Sequence, residues 1–362
     1  MPEAVLARIG TELLDWRGTG ASVMETSHRS AAFVDCAADA DADLRALLEV
    51  PDDYSVLFMQ GGASAQFALT VMNLGGGDDG SDDSHVGPVA FADTGYWSGK
   101  AMATARRLAP THVACSMARD EAGCLSIPDP ADWSIPDDAV YLHLCDNETI
   151  DGVSFDDAAL DAIDAIAPGL PLVCDMSSSI LSRPIDVSRY AVIYAGAQKN
   201  IGPAGLTLVI ASPDAMARSR AAGDLPGVFS YAATENADSM LNTPPTFAWY
   251  AAGLVFRWLR EQGGLPAMER HNRTQAARVY AAIDELAPFT NTVAPASRSM
   301  MNLPFTLADD ASTAAFLGRC DAAGLVGLKG HASAGGCRAS LYNAQTDAAV
   351  DALVAVMNEY AT

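Results

Sequence analysis

Lys199 is the residue whose surroundings most clearly suggest chemistry. The chain has only three lysines, at positions 100, 199 and 329. A lysine amine can form an imine with a carbonyl, which an arginine cannot do. Lys199 lies in a glycine-rich turn, 194–205, directly after the apolar run 191–195, which predicts a strand. Most loop lysines are simply solvated, so a covalent role for Lys199 depends on the residues that accompany it.

Three other groups suited to ligand binding also follow predicted strands. Gly62-Ala63-Ser64 lies between a strand and a helix start, where backbone N–H groups bind anions. Trp97 offers an aromatic face for stacking, and Asp175 directly follows the run 171–174. In open α/β sheets, ligands bind outside the carboxyl ends of the strands. We therefore expect Asp175 and Lys199 at one edge of a sheet, together with the other two groups.

Each of these groups has an ordinary structural interpretation when taken alone. The turn could simply start a helix, the tryptophan could lie in the core, and the aspartate could cap a helix. As an ordered set, they match the needs of pyridoxal phosphate, which requires a lysine for its aldehyde and a carboxylate for its pyridinium nitrogen. It also requires a stacking ring and a phosphate-binding turn. The set therefore predicts a pyridoxal phosphate site.

The elements that must position these residues alternate between strand and helix. Strands are predicted at residues 55–59, 89–92, 140–144, 171–174, 191–195 and 206–210. Helices are predicted at residues 3–16, 37–48, 61–74, 96–108 and 244–262. This alternation predicts an α/β fold with a mostly parallel central sheet.

The pattern changes after about residue 265. A helix is followed there by a strand at 299–305, a helix at 310–323, a strand at 338–342 and a helix at 346–360. These elements predict a smaller C-terminal α+β domain. We place the large cofactor-binding domain at 1–260 and the small domain at 261–362, and we allow the first helix to pack with the small domain.

The composition is strongly acidic. Asp and Glu number 45 against 22 for Lys and Arg, which gives a net charge of −23 over 362 residues. Such a surface repels nucleic acid and anionic membranes, so neither is expected as a partner. It suits a solvent whose salt screens self-repulsion, which leads to the hypothesis of a salt-adapted, halophilic protein. The alternative is an ordinary acidic cytosolic enzyme.

The cysteines and the apolar runs indicate the cellular compartment of the protein. The seven cysteines are scattered and form no CxxC pair, so neither a disulfide framework nor a metal site is predicted. The start of the chain lacks the apolar core of a signal peptide. The longest apolar stretch, 244–256, is too short to span a bilayer. A cytoplasmic location is therefore expected.

Longer motifs connect the chain to a known family. They are 18–30, 60–67 (QGGASAQF), 93–97 (DTGYW), 147–152 (NETIDG), 175–186, 194–205, 242–250 and 336–344. Along essentially its full length the chain resembles the phosphoserine aminotransferase family. That family consists of class V aminotransferases with the fold-type I architecture of pyridoxal phosphate enzymes, and it is represented by homodimers.

The resemblance implies a role for each matching residue. Lys199 would be the Schiff-base lysine and Asp175 the pyridinium partner. Cofactor contacts would come from Ala63, Ser64, Trp97, Thr149 and Gln198, and, across the interface of a homodimer, from Asn242 and Thr243. Arg338 would hold the substrate α-carboxylate, a task suited to a bidentate guanidinium. The substrate phosphate would be held by His331 and, across the dimer interface, by His28 and Arg29.

The implied reaction moves an amino group between L-glutamate and 3-phosphohydroxypyruvate, giving O-phospho-L-serine and 2-oxoglutarate for serine biosynthesis. Lys199 would act as general base and then as general acid on the Cα proton. Members of the family often also serve the 4-phosphohydroxythreonine step of pyridoxine biosynthesis, and the resemblance extends that expectation to this chain.

Three departures from the family pattern bear on this expectation. The extended segment that precedes the first helix in the family is not in this sequence. A truncated sequence or a misassigned start codon would explain its absence. The acidic segment 75–87 looks inserted and is interpreted as a solvated loop. Ala332 stands beside His331 where the family commonly has Arg, which removes a contact worth about 1.5–3 kcal/mol. Either phosphate affinity falls, or another cation such as Lys329 substitutes, or the substrate differs.

Three alternatives remain at this point. The first is an aminotransferase of the same fold with a different 2-oxo acid acceptor, motivated by Ala332. The second is a pyridoxal phosphate lyase such as a cysteine desulfurase, with Cys337 as the sulfur acceptor. The third is a binding protein that has kept the fold without catalysis, and the presence of both Lys199 and Asp175 argues against it.

Overall fold

A central sheet dominates the computed structural model, which describes residues 1–75, 87–121, 123–223 and 225–362. Within these residues the sheet has seven strands in the order β1-β9-β8-β7-β6-β2-β3. Their bounds are β1 (Ser55–Met59), β2 (Val89–Asp93), β3 (Thr111–Ser116), β6 (Tyr141–Cys145), β7 (Leu172–Asp175), β8 (Val192–Gly196) and β9 (Thr207–Ala211). The short strands β4 (Ala118–Arg119) and β5 (Leu125–Ser126) pair with each other.

The sheet is mostly parallel, as predicted. Strands β3, β2, β6, β7 and β8 pair in parallel with their neighbours. Strand β9 is antiparallel to both β8 and β1, so it alone reverses direction among the described strands of the sheet. Every residue of β6, β7 and β8 is buried, as is typical of central strands covered on both faces.

Helices cover both faces of the sheet. Those that precede the C-terminal region are α1 (Glu3–Glu12), α2 (Ala31–Leu48), α3 (Gly62–Leu74), α4 (Tyr96–Ala105), α5 (Asp157–Ile166), α6 (Pro213–Ala221), α7 (Tyr231–Glu235) and α8 (Thr246–Glu261). One core contains α1, α2, α5 and α8 on one face of the sheet. A second core contains α3, α4 and α6 on the opposite face. The first helix has its buried residues, Val5 and Ile9, in the first core and packs on α8.

The C-terminal elements build a third core. They are α9 (Gly264–Glu285), β10 (Asn302–Phe305), α10 (Asp310–Ala322), β11 (Cys337–Ser340) and α11 (Asp347–Ala361), with β10 and β11 forming an antiparallel pair. Helix α9 contributes Leu265 and Met268 to the first core, and Ala276 and Val279 to the third. It therefore joins the two parts of the molecule, and the boundary at 260/261, just before α9, stays a prediction.

One group of buried polar contacts between these two parts lies beside Lys199. The backbone N–H of Asn343 donates to Asn200 Oδ1 (3.1 Å), and Asn343 Nδ2 donates to the carbonyl of Leu181 (2.8 Å). Asn272 Nδ2 in turn donates to Asn343 Oδ1 (2.9 Å). Because Asn200 follows Lys199 in the chain, these bonds fix the lysine turn against the C-terminal elements.

Most of the acidic segment 75–87, interpreted above as a solvated loop, lies outside the described residues. In the part of the chain that is described, no helix is long and apolar enough to cross a membrane.

Candidate active site

Asp175 and Lys199 meet at the carboxyl edge of two adjacent parallel strands, as predicted. Asp175 is the last residue of β7 and pairs in register with Tyr194 of β8, and Lys199 lies in the turn just after β8. The Lys199 side chain is half-buried, whereas that of Asp175 is buried. The sheet topology therefore brings the amine and the carboxylate to one place.

The Asp175 carboxylate is held in a largely dry setting. Its Oδ1 accepts a hydrogen bond from the backbone N–H of Ser177 (2.9 Å). Burial raises the pKa of Asp175, while the bonds from Ser177 and the positive charge of Lys199 pull it down. A buried carboxylate gains most from a partner that carries a proton and a positive charge, such as a pyridinium nitrogen.

Trp97 lies across this site from the lysine. It is in the first turn of α4, and the Nζ atom of Lys199 is 5.8 Å from the centroid of its ring. The indole Nε1 donates to Thr149 Oγ1 (2.8 Å), which fixes the orientation of the ring. The indole is half-buried rather than a core residue, so its face is available for stacking.

The glycine turn before α3 has the backbone conformation that an anion site requires. Gly61 and Gly62 have φ values of 95° and 65°, and a Cβ at Gly61 would lie 2.6 Å from Ala65 Cβ. The N–H of Gly62 donates to Thr207 Oγ1 (2.7 Å), which joins this turn to the start of β9. Ala63 and Ser64 follow in the first helical turn, where backbone N–H groups have no partner within the helix.

Arg338 reaches the site from β11. Its Nη1 donates to the carbonyl of Thr149 (2.8 Å), and its Nε is buried without a partner among the described residues. A buried guanidinium N–H without an acceptor is costly, so this side chain is prepared to bind an anion. Thr149 therefore contacts both Trp97, through its hydroxyl, and Arg338, through its carbonyl.

His331 lies near the start of α4. Its ring centroid is 5.3 Å from that of Tyr96, and its Nδ1 is 2.7 Å from Ser333 Oγ. Ala332, beside it, is exposed, as is Lys329. Lys100, a cation not considered for this role from the sequence, has its Nζ 4.8 Å from the Tyr96 ring centroid. The helical spacing of Tyr96 and Lys100 was the signal that could have revealed it.

The other predicted residues have no side-chain bond to this group in the single chain, as far as the structure describes it. Gln198, Arg29, Asn242 and Thr243 are exposed, and His28 is half-buried. Within the described residues, no hydrogen bond or ion pair joins their side chains to Lys199, Asp175 or Arg338. The carbonyl of Thr243 accepts from Gln60 Nε2 (3.1 Å), just before the glycine turn.

Cys337 does not suit the role of a sulfur acceptor. It is buried in β11, and burial raises the pKa of its thiol to about 12. A sulfur acceptor must be an accessible thiolate, so the structure removes the observation that motivated a desulfurase.

The fold and the site together define an aminotransferase that depends on pyridoxal phosphate. Residues 1–353 match the family model described as aminotransferase class-V, and the chain belongs to that family. It is 49% identical to the phosphoserine aminotransferase of Pseudomonas paraeruginosa over 99% of this chain and 95% of that protein. Within class V, it therefore belongs to the phosphoserine aminotransferase family.

Solved structures agree with this assignment. The phosphoserine aminotransferase from Bacillus circulans subsp. alkalophilus superposes with a TM-score of 0.89 at 39% identity, covering 100% of this chain and 95% of that one. The pyridoxal phosphate-bound enzyme from Trichomonas vaginalis has a TM-score of 0.89 at 37% identity, covering 99% of this chain and 97% of that one. These matches confirm the predicted fold-type I architecture, the aminotransferase chemistry and the cofactor.

The described residues fit that cofactor. An amine, a buried carboxylate, an indole face and a helix start with a glycine turn lie along one edge of the sheet, and Arg338 keeps a buried donor without a partner. The assignment of each residue to a contact remains a proposal, which is taken up next.

Proposed function

We propose that Lys199 and Asp175 carry out the transfer of an amino group from L-glutamate to 3-phosphohydroxypyruvate. The observation that supports this most directly is their convergence at the ends of β7 and β8, with Trp97 facing the lysine. Bound pyridoxal phosphate supplies the electron sink for the carbanion that forms when the substrate Cα loses its proton. The amine of Lys199 would take that proton from the Cα of L-glutamate as base and, as acid, would deliver a proton to the Cα of the product amino acid.

The remaining residues bind and orient. Asp175 keeps a proton and a positive charge at its edge of the site, Trp97 stacks, and the N–H groups of Ala63 and Ser64 bind a phosphate, with Gln198 beside them. Thr149 fixes the indole of Trp97. Arg338 holds the substrate α-carboxylate with its free donors, which sets the Cα–H bond toward Lys199.

We further propose that the active enzyme is a homodimer. Four residues assigned to the site, His28, Arg29, Asn242 and Thr243, have no side-chain hydrogen bond or ion pair to Lys199, Asp175 or Arg338 among the described residues, and Arg29, Asn242 and Thr243 are exposed. A partner subunit would supply its copies of them to the site. Large apolar side chains near these segments are also exposed in the single chain, which a dimer interface would cover. They are Met24 (56%), Val34 (44%) and Leu241 (42%).

The substrate phosphate would then be held by His331 together with the partner's copies of His28 and Arg29. Lys100 is a candidate for the cation that replaces the missing arginine at Ala332, because its Nζ and the ring of His331 both lie against Tyr96. The same site would accept the phosphorylated hydroxythreonine of pyridoxine synthesis.

A cytoplasmic location is supported by seven free cysteines, six of them buried.

An assay with purified holoenzyme tests this function. We expect kcat/KM for 3-phosphohydroxypyruvate to exceed that for hydroxypyruvate by at least about 100-fold, because a phosphate makes several charge-assisted hydrogen bonds. Lys199→Ala should abolish transfer. Lys199→Arg keeps the charge beside Asp175 but cannot form an imine, so it should be equally inactive.

Two results would lead to other conclusions. Equal kcat/KM for the phosphorylated and unphosphorylated acceptors would favour the second candidate, an aminotransferase with a different 2-oxo acid, which Ala332 motivates. Transfer by Lys199→Arg at the wild-type rate would remove Lys199 from the chemistry.

A further inference from the structure

Glu148 has no role in the function described so far, yet its carboxylate is fully buried beside Trp97. Its Oε2 accepts from the backbone N–H of Trp97 (2.9 Å) and its Oε1 from that of Ser98 (2.7 Å). Each oxygen therefore binds one of the free N–H groups at the start of α4. The residue is 0% exposed, and it comes from a turn about 50 residues further along the chain.

The turn that carries Glu148 is rigid and also carries Thr149. Glu148 N–H donates to the carbonyl of Val153 (2.9 Å), and Gly152 N–H donates to the carbonyl of Glu148 (2.9 Å). Asp151 adds a third contact, since its Oδ2 accepts from the N–H of Tyr96 (3.0 Å). Two carboxylates of one turn thus hold the first three N–H groups of α4.

The two segments approach so closely that a side chain at the helix start would not fit. A Cβ at Gly95 would lie 2.8 Å from Glu148 Cδ. The backbone of Gly95 therefore lies directly against the Glu148 side chain. The indole of Trp97 and the hydroxyl of Thr149, which bond to each other, are the next side chains along these two segments.

We propose that Glu148 is a positioning residue for cofactor binding: its carboxylate fixes the start of α4 against the 148–153 turn and so holds Trp97 and Thr149 in register. This inference rests on the proposed roles of Trp97 and Thr149 at the cofactor. It adds a residue that touches neither cofactor nor substrate and acts through the helix that presents the stacking ring.

The ionised carboxylate is required for this task, because only it offers both oxygens as acceptors. Burial raises the pKa of Glu148 to about 7, against the opposing effect of the Ser98 and Trp97 N–H donors. Below that pH the Glu148 carboxyl is protonated, so its O–H must itself donate a hydrogen bond while the carboxyl still faces the N–H donors of Trp97 and Ser98. The relative position of the Trp97 and Thr149 side chains should therefore become less well fixed as the pH falls through neutrality.

Other charged or titratable groups also face this region. They are Asp151 and Cys145 near the turn, Asp93 at the end of β2, Lys100 on α4 and His331 against Tyr96. Cys145 stays a thiol because burial raises its pKa well above the usual value. A change with pH therefore supports a role of Glu148 only beside a substitution of that residue, whereas the lack of any change with pH counts against it.

The experiment titrates the apo protein with pyridoxal phosphate at about pH 6 and about pH 8, on either side of the Glu148 pKa. Glu148→Gln removes one acceptor and places an amide donor opposite an N–H. We expect its dissociation constant to exceed that of the wild type by about 10-fold at the higher pH. At the lower pH the ratio should shrink toward one, because the wild-type carboxyl is then protonated too.

Asp156→Ala is the matched control. Asp156 is exposed and caps α5, which like α4 has 10 residues, by accepting from Ala159 N–H (2.8 Å). Its loss should weaken the fold without changing cofactor affinity. An affinity ratio for Glu148→Gln that is near one at both pH values, or unchanged between them, would overturn the proposal, as would an equal effect of Asp156→Ala.

Two further measurements keep the test decisive if Glu148→Gln does not fold. Glu148→Asp keeps the charge but shortens the side chain, so its cofactor dissociation constant should also rise, and wild-type affinity would count against the proposal. In the wild-type apo protein, the near-ultraviolet dichroism of Trp97, taken as the difference from Trp97→Phe, should change between the two pH values, and a constant signal would refute it. Because these readouts involve no turnover, they are independent of the amino-transfer assay.

Discussion

Thr149 connects the two halves of the site at the level of single residues. Its hydroxyl accepts from the Trp97 indole, and its carbonyl accepts from Arg338. A ligand that pulls on Arg338 would therefore also act on the stacking ring, through one residue. This link joins segments that are about 50 and about 190 residues apart in the chain.

The residue types at strand ends can be predicted from the sequence, whereas hydrogen bonds between distant segments of the chain cannot. Lys199, Asp175 and the glycine turn follow apolar runs that are buried strands, and the rule that ligands bind at carboxyl ends brings them together. Glu148 lies in a motif that carries the family resemblance, but no pattern shows that its side chain turns back to cap α4. That contact depends on the close approach of Gly95.

Arg338 provides a prediction at this scale. Arg338→Lys should lower kcat/KM for L-glutamate, which corresponds to an activation free energy higher by about 1.5–3 kcal/mol. One ammonium cannot bond to the Thr149 carbonyl and also bind a carboxylate with two N–H groups. Steady-state kinetics measures this. Arg319→Lys is the control, since Arg319 Nη1 also donates to a backbone carbonyl, that of Glu359 (3.1 Å), far from the site. Equal losses in both variants would contradict a specific role.

At the scale of elements, the central strands were predicted within one residue. Strands β6, β7 and β8 are mostly apolar, with His143 inside β6 and Asp175 at the end of β7, and such short apolar runs identify buried strands well. Strand β3 was not predicted, because Thr111–Ser116 mixes polar and apolar residues at the sheet edge. The reversed direction of β9 could not be predicted either, since direction depends on which strands pair.

Of the element boundaries that differ from the predictions, two have identifiable reasons. Helix α2 begins at Ala31, earlier than expected, because Ser30 Oγ accepts from the N–H of Phe33 and caps the helix there. Strand β10 begins at Asn302, later than expected. Ser299 Oγ accepts from the N–H groups of Met301 and Asn302, which turns the chain before the strand starts.

The contacts around Asn343 lead to a prediction for the packing of elements. Asn343→Ala should lower the free energy of unfolding by about 1–3 kcal/mol, because it leaves the buried carbonyl of Leu181 and Asn272 Nδ2 each short of a partner. Denaturant unfolding measures this. Asn358→Ala, on the exposed face of α11, should cost much less. If the two variants lose the same stability, the bonds beside Asn200 do not hold the C-terminal elements in place.

At the scale of the whole molecule, charge is the dominant feature. The net charge is −23, and every ion pair among the described residues has an arginine as its basic partner. The scarcity of lysine is therefore a feature of the surface charge. The catalytic assignment of Lys199 depends instead on Asp175, Trp97 and Arg338 around it.

Salt adaptation makes a testable prediction at this scale. The melting temperature should rise on adding KCl, with most of the increase below about 1 M, because the Debye length falls from about 10 Å at 0.1 M to about 3 Å at 1 M. Calorimetry in KCl, with sucrose of equal osmolality as the control, separates screening from solute exclusion. A melting temperature that does not respond to KCl would reject the hypothesis.

The reversed strand β9 has a consequence for how the molecule is made. Because Thr207 at its start bonds to Gly62, the glycine turn before α3 is complete only after the chain has been extended past Lys199 to β9. Arg338 comes later still, from β11. These are contacts of high sequence separation, which form late and slowly during folding. A nascent chain that lacks its last quarter lacks Arg338, so we expect pyridoxal phosphate to stabilise the completed chain more than such a truncated one.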